Sequence, residues 1–196
     1  MSSSTQSRAP SSFLDRATLI ESAAELADTD GWNFLTLSRV AESVDRHVSS
    51  LYSHVDGLDA LRREVALLAV TELAEVVWAA TVGRAGAEAL TAIAEAERDF
   101  ARAHPGRMAA LRGHLGIADP EFREQAMRIA KPVRTVLTSY GLDEQQVAIA
   151  HRVFSATVSG LIEPGTPLGK TNDDITIQAT VTLFVTALES GNWPPV

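Results

Sequence analysis

The stretch that decides the fold is residues 36–55, TLSRVAESVDRHVSSLYSHV. Apolar residues recur in its first half at the spacing of one helical face: Leu37, Val40, Ala41 and Val44. A second stripe with the same spacing begins after residues 45–47: Val48, Leu51, Tyr52 and Val55. Each predicted helix has about two turns, which is too short to be stable alone. The two helices must therefore pack against each other and against a third element.

Two short helices joined by a three-residue turn are typical of a helix-turn-helix. The steep crossing of such helices needs a small residue where their axes meet, and Ala41 occupies that place. Four residues later the turn needs a positive φ, which Asp45 accepts better than most residues other than glycine. Leu51 is then predicted to anchor the second helix in the core, with Trp32 and Phe34 packed beneath the pair.

Short polar and aromatic side chains remain on the outer face of the second helix, without a carboxylate among them. Such groups can donate hydrogen bonds to phosphates and base edges. The predicted DNA-binding residues, including the N-cap of the first helix, are Thr36, Arg46, His47, Val48, Ser49, Ser50, Tyr52 and His54. The alternative is that the pair is simply a helical hairpin in a bundle.

The segment from about residue 14 to residue 68 resembles the DNA-binding domain of the tetracycline-repressor (TetR) family of bacterial transcription regulators. The strongest match is the run SLYSHVDGLDAL at residues 50–61, preceded by Gly31-Trp32 and by Ala23-Ala24 in the first helix. The chain departs from the family at residues 45–47, where Asp-Arg-His replaces the usual glycine, apolar residue and capping or basic residue. It also departs at Leu58, where the family often has a lysine that contacts a phosphate.

The C-terminal half resembles one of the family's ligand-binding domain types, over roughly residues 98–188. The matching landmarks are HPGR at 104–107, SYGL at 139–142 and VSGLIEPG at 158–165. The resemblance implies a homodimer that binds double-stranded operator DNA and responds to a small-molecule effector.

Composition bounds the remaining possibilities. The 196 residues include no cysteine, so a disulfide framework, a thiolate metal site and a cysteine nucleophile are excluded. The net charge is −8, and residues 36–63 carry four arginines against four acids, so the predicted DNA binding rests on shape and not on bulk charge. Few ion-paired phosphates imply a shallow salt dependence. No membrane span is predicted, and the lack of cysteine suits the cytoplasm.

The helical periodicity predicts an all-α protein with three parts: a mobile tail (residues 1–12), a three-helix DNA-binding domain (13–60) and a helical ligand-binding and dimerisation domain (61–196). A long helix from about residue 58 to residue 80 is predicted to join the two domains. The last helix is apolar on most sides, and the helix before it carries small residues, which indicates a dimeric four-helix bundle. The predicted dimer contacts are Ala148, Ala156, Gly160, Ala179 and Leu183.

No catalytic or metal-binding pattern emerges from the sequence, and no cofactor is predicted. The five histidines lack the spacings that metal sites on helices require. A ligand pocket in the second domain is the more plausible site, and its candidate lining residues are Trp78, Phe100, His104, Met108, Leu111, His114, Met127, Phe154 and Thr157. We therefore interpret the chain as a ligand-responsive transcription regulator, specifically a repressor that binds a palindromic operator as a homodimer, and not as an enzyme. The alternative is a helical interaction module of the same fold that no longer binds DNA.

Overall fold

The computed structural model describes residues 14–116, 118–162 and 173–190. Over these residues the chain forms α-helices and no strand, as the periodicity predicts. The helices are α1 (Arg16–Asp30), α2 (Leu37–Ser43), α3 (Val48–Leu51), α4 (Leu58–Thr81), α5 (Gly86–Ala103), α6 (Pro105–His114), α7 (Pro120–Thr138), α8 (Glu144–Leu161) and α9 (Asp173–Glu189), with a 3-10 turn at Trp32–Phe34. The predicted tail at residues 1–12 and the predicted helix breaks after residues 162 and 190 lie outside the described residues.

Helix α1 is set by its two caps. The Asp15 side chain accepts a hydrogen bond of 2.7 Å from the backbone N–H of Thr18, which satisfies one free donor of the first turn. Gly31 ends the helix at a φ of 98°, and its N–H donates to the Ala27 carbonyl at 3.0 Å. Trp32 is partly buried beneath the Arg62 guanidinium, 5.5 Å from its ring centre. The prediction that Phe34 belongs to the core is wrong, because 64% of its surface is exposed in the 3-10 turn that follows Gly31.

Helix α4 is the central element. It contacts α1 as well as α5, α6 and α7. Its 24 residues span on the order of 36 Å at 1.5 Å per residue. Buried apolar side chains run from Leu61 to Val77, so one continuous core extends from Leu19 of α1 to Leu188 of α9.

The later helices have clear starting signals. Pro120 stands in the first turn of α7, where its missing N–H costs nothing, and Asp119 caps that helix. Pro132 lies inside α7, which nevertheless continues to Thr138. Asp143 and Gln146 form a capping box at the start of α8.

Helix α9 packs only one side into the chain. Ile177, Val181, Val185 and Leu188 are buried, whereas Ile175 is 61% and Leu183 is 73% exposed. None of the helices within the described residues is long and apolar enough to cross a membrane. The described residues also contain no group of three or more acids and histidines placed to hold a metal ion.

Candidate nucleic-acid interface and internal cavity

The turn of the helix-turn-helix has the geometry that its sequence predicts, but the second helix is shorter than predicted: α3 ends at Leu51 after one turn, and residues 52–54 continue it as a turn. Thr36 caps α2 by accepting a 3.3 Å hydrogen bond from the Arg39 N–H. Ala41 is 2% exposed, and its carbonyl accepts a 2.9 Å hydrogen bond from the Arg46 N–H across the turn. Asp45 has a φ of 52°, the one positive φ among the described non-glycine residues. The turn therefore places α3 directly against α2.

Helix α3 is held from below and open above. Leu51 is fully buried and Val55 is 6% exposed, so these two side chains fix the helix on the core. His47, Ser49, Ser50 and Ser53 are exposed on the other side, together with Tyr52 at 57%. The Ser53 hydroxyl donates to the Ser50 carbonyl at 2.7 Å, which leaves its oxygen as an acceptor. All eight residues predicted to contact DNA are at least partly exposed: Thr36, Arg46, His47, Val48, Ser49, Ser50, Tyr52 and His54.

Most of the nearby arginines have partners inside the protein. Arg39 forms an ion pair with Asp30 at 2.5 Å, and Arg62 donates to the Leu35 carbonyl at 3.3 Å. Arg63 donates to both carboxylate oxygens of Asp119, at 2.7 and 3.0 Å. Counting the four arginines of residues 36–63 therefore overestimates how many positive charges are available to contact phosphates.

An internal cavity of about 210 Å³ lies among α4, α5, α6, α7 and α8, and it reaches the surface where the exposed Leu115 and Ser159 line it. Its wall is mostly apolar, and polar groups enter from three helices: Glu97, Arg112, His151, Ser155 and Ser159. Burial raises the pKa of the Glu97 carboxyl to about 7, although the Arg112 charge acts in the opposite direction. Burial, and to a lesser degree the charge of Arg134, lowers the pKa of His151. Small organic molecules are usually bound by an apolar cavity with a few convergent polar groups of this kind.

Two of the nine predicted ligand contacts, Met108 and Leu111, line this cavity. Three others face solvent: Trp78 is 54% exposed, Met127 is 57% exposed, and Thr157 is exposed with its hydroxyl donating to the Val153 carbonyl. Trp78 borders a separate depression on α4 and α7. These three side chains lie on the outer faces of their helices. The spacing of apolar residues in the sequence does not tell an outer face of a helix from an inner face.

The remaining four predicted ligand contacts pack in the core or pair with other side chains; they are Phe100, His104, His114 and Phe154. Phe154 is 2% exposed and packs on Phe184, with ring centres 5.5 Å apart. Phe100 is 5% exposed and packs on His104 at 5.1 Å.

Both histidines in that set already have carboxylate partners. The His104 Nδ1 lies 3.1 Å from Asp28, and the His114 Nε2 lies 3.0 Å from Asp119. Each histidine therefore pairs with its own aspartate, and neither lines the cavity.

The cavity residues that the sequence analysis missed include one with a usable signal. Glu97 is partly buried and lies at helical spacing from Leu90, Ile93 and Ala94, on the inner face of α5. A lone acid in such a stripe indicates a functional or paired carboxyl. Arg112, His151 and the two serines carry no comparable signal, because their helices leave several faces open to alternative neighbours.

Helix α6 connects the cavity to the helix-turn-helix domain. Met108, Leu111 and Arg112 line the cavity, while the start of the same helix packs against α1. The approach at Gly106 is so close that an added Cβ would lie 2.1 Å from the Ala27 carbonyl carbon and oxygen.

A cluster of charges surrounds this contact. Asp28 of α1 accepts a 2.8 Å hydrogen bond from the Arg107 N–H, and the Arg107 guanidinium also pairs with Glu21. Glu72 of α4 lies 3.5 Å from Arg107, and burial raises the pKa of its carboxyl. The start of α6 is thus tied to both α1 and α4.

The other end of α6 is tied to α4 as well. His114 contacts Asp119, and Asp119 accepts both hydrogen bonds from Arg63 in the second turn of α4. The Arg63 guanidinium holds the pKa of the Asp119 carboxyl well below its usual range. Both ends of α6 are therefore connected to helices that pack against the helix-turn-helix.

Comparison with known proteins places these features in a family. Residues 90–164 match the family model described as tetracyclin repressor-like, C-terminal domain. The uncharacterized helix-turn-helix-type transcriptional regulator Rv0681 of Mycobacterium tuberculosis is 35% identical over 179 residues, which cover 91% of this chain and 81% of that protein.

Solved structures share the fold. A possible TetR family transcriptional regulator from Streptomyces coelicolor A3(2) superposes with a TM-score of 0.70 at 20% identity, over 90% of this chain and 100% of that one. BioQ bound to its double-stranded DNA operator superposes with a TM-score of 0.68 at 17% identity, over 91% of this chain and 99% of that one.

Proposed function

We propose that this chain, which belongs to the TetR family of transcriptional regulators, binds a palindromic operator as a homodimer and is released from it by a small-molecule effector. In this proposal residues 13–60 bind DNA and residues 61–196 bind the effector and form the dimer. The protein represses transcription in the cytoplasm, where the operator is accessible. The members of this family are regulators and not enzymes.

The observation that carries the proposal is the exposed face of α3. Hydroxyl, imidazole and phenol groups project from it, and no carboxylate lies between His47 and His54. An α-helix fits the major groove of B-DNA, and groups of these types read base edges or contact phosphates there. The fold is shared with BioQ, which has been solved on its operator.

The exposed sides of α8 and α9 support the homodimer. Ala148, Ala156, Gly160, Ala179 and Leu183, which were predicted as dimer contacts, are all exposed in the single chain. Val153 is 44% and Ile175 is 61% exposed on the same two helices. Two copies that pack these helices together form a four-helix bundle, and its two-fold axis presents two α3 helices to successive major grooves about 34 Å apart.

The position of α6 supports the effector response. This helix lines the cavity along one part and is fixed to α1 and α4 at both ends. A ligand that fits one position of α6 better than the other shifts the dimer toward that arrangement. To change operator occupancy from nearly full to nearly empty, its affinity for the two arrangements must differ by about 5 kcal/mol.

The test is selection of bound sequences from random duplex DNA with the full-length protein. We expect a motif with two-fold symmetry whose half-sites are about ten base pairs apart. Tyr52→Ala should weaken binding to the selected sequence by at least about fivefold, because one direct contact contributes about 1–3 kcal/mol. Trp78→Ala is the matched control, since it removes an aromatic side chain of similar exposure from α4.

An intact dimer that selects no sequence would contradict operator binding. That result would favour the alternative function, a helical interaction module that does not bind DNA. The internal partners of Arg39, Arg62 and Arg63 are the observation that favours this alternative. Equal binding by wild type and Tyr52→Ala would show that α3 is not the reading surface.

A further inference from the structure

The carboxyl of Glu97 is the unusual group in the internal cavity. Glu97 lies on α5 among Leu90, Ile93 and Ala94, each of which is fully buried. Within the described residues its carboxyl forms no hydrogen bond and no ion pair. A charged group taken out of water without a partner is unfavourable, so this position is costly for the empty protein.

The charges around Glu97 come from two neighbouring helices. Arg112 of α6 lines the same cavity and attracts the carboxylate from a distance, but it is engaged with other groups as well. His151 of α8 is held toward its neutral form by burial and by the charge of Arg134, and its Nε2 lies 3.4 Å from the Ser155 hydroxyl. The Arg112 side chain is engaged elsewhere, although its Nη2 atom forms no hydrogen bond within the part of the chain that the structure describes. Of the two ionised side chains that line the cavity, the acid is therefore the one whose whole charged group lacks a direct partner among the described residues.

We propose that the effector is a small, mainly apolar molecule with one protonated amine, and that this amine pairs with the Glu97 carboxylate inside the cavity. The inference rests on the proposed function, since it names the ligand class of the site through which that function is regulated.

An ammonium group supplies what this site lacks. It donates up to three hydrogen bonds and carries the opposite charge, so the Glu97 carboxylate gains a charge-assisted contact in place of water. A carboxylate ligand would instead meet the like charge of Glu97 and would compete with it for the attraction of Arg112, so it should bind more weakly unless Glu97 is protonated. A neutral alcohol could contribute one hydrogen bond without charge.

The size of the cavity fits a compact ligand. A volume of about 210 Å³ corresponds to roughly seven water molecules at about 30 Å³ each. Apolar side chains such as Leu73, Met108 and Phe122 form most of its wall, so the body of the ligand is apolar. An unbranched chain of eight carbons with one polar end has about this size.

The test compares n-octylamine, 1-octanol and octanoate as probes, which differ only in the polar end. Binding to the full-length protein is measured by titration calorimetry at pH 7.5. We expect n-octylamine to bind at least about tenfold more tightly than 1-octanol, and octanoate to bind most weakly. The dissociation constant of n-octylamine should fall between pH 6 and 8, because Glu97 loses its proton while the amine keeps its own.

Two variants separate the pairing from general effects. Glu97→Gln should weaken n-octylamine at least about tenfold and remove the pH dependence, while 1-octanol changes less than about threefold. Glu88→Gln, which removes an exposed acid from the first turn of the same helix, should leave all three affinities unchanged. Circular dichroism of each variant checks that the fold is retained.

Several results would overturn the proposal: octanoate as the tightest probe, no binding by n-octylamine, or equal binding of n-octylamine by wild type and Glu97→Gln. The same probes are then added to the selected operator complex. Tight binding of n-octylamine that leaves the protein on DNA would contradict effector control but keep the ligand class. Release by octanoate alone would keep effector control and reject the amine.

Discussion

The α3 surface and the internal cavity differ in how their residues are supplied by the chain. The α3 surface comes from the consecutive positions 47–54, which form the four-residue helix α3 and its two flanks and are fixed to the core by Leu51. The cavity collects side chains from Val70 to Ile162, on five helices. A continuous sequence motif with fixed spacing is nearly sufficient to define a surface, whereas a cavity forms only when several helices have packed together.

The two regions also differ in their electrostatics. The α3 surface is exposed, so solvent and salt screen its groups. Glu97 lies deep in the cavity, and there burial raises the pKa of its carboxyl to about 7. The side chains of the two regions therefore have different electrostatic environments, and α6 is the helix that connects the cavity to the helix-turn-helix domain.

The largest effect is expected where the two regions meet. In Gly106→Ala the new Cβ would lie 2.1 Å from backbone atoms of Ala27 and 2.4 Å from the Asp28 nitrogen, which cannot move aside like a flexible side chain. α1 and α6 must separate, and we expect the free energy of unfolding to fall by about 3 kcal/mol. Urea denaturation followed by circular dichroism measures this loss.

Gly113→Ala is the matched control in the same helix. A Cβ at Gly113 would find its nearest neighbour, the Trp32 Nε1, at an ordinary 3.7 Å. Because alanine favours a helix over glycine, this variant should gain up to about 1 kcal/mol. Equal losses in both variants would show that the contact at Gly106 has no special role in joining the regions.

The same contrast explains what the sequence could predict. The long helix α4 agrees with its predicted range to within one residue, and the positive φ of Asp45 followed from its place in the turn. Helix α3 ends at Leu51, four residues before the end of its apolar stripe at Val55. The residues that line the cavity were harder to predict from the sequence. A 3.6-residue repeat identifies the apolar faces of a helix but not which neighbouring helix covers each face. Trp78 and Met127 lie on faces that no helix of the described chain covers, so their apolar character was misleading.

A second prediction concerns the electrostatic difference. The folded protein keeps a proton on Glu97 up to about pH 7, whereas the unfolded chain loses it near 4.5. Between these values the folded state binds more protons, so its stability falls as the pH rises. We expect Glu97→Gln to remove a stability loss on the order of 2 kcal/mol between pH 5 and 8.

Denaturation at both pH values measures this loss in wild type and variant. Histidines also titrate in this range, so the informative quantity is the difference between the two proteins. Glu88→Gln, whose side chain is exposed, should follow the wild-type pH profile. An identical profile for wild type and Glu97→Gln would mean that the carboxyl is solvated, and the electrostatic contrast between the two regions would disappear.

The smallest effect is expected within the DNA-binding region itself, at the turn between α2 and α3. Asp45 holds a φ of 52°, a conformation that costs most residues about 1–2 kcal/mol and glycine almost nothing. Because aspartate tolerates it better than most, and because glycine adds entropy to the unfolded chain, Asp45→Gly should stabilise the protein by only about 0.5 kcal/mol. Asp45→Ala should destabilise it by about 1 kcal/mol.

Both variants remove one negative charge beside α3, so both should bind the operator more tightly at low salt. If Asp45→Gly binds the operator more tightly and Asp45→Ala more weakly, affinity follows stability and not charge. That result would show that the turn acts by holding α3 in place, so that the α3 surface depends on local packing as much as the cavity does.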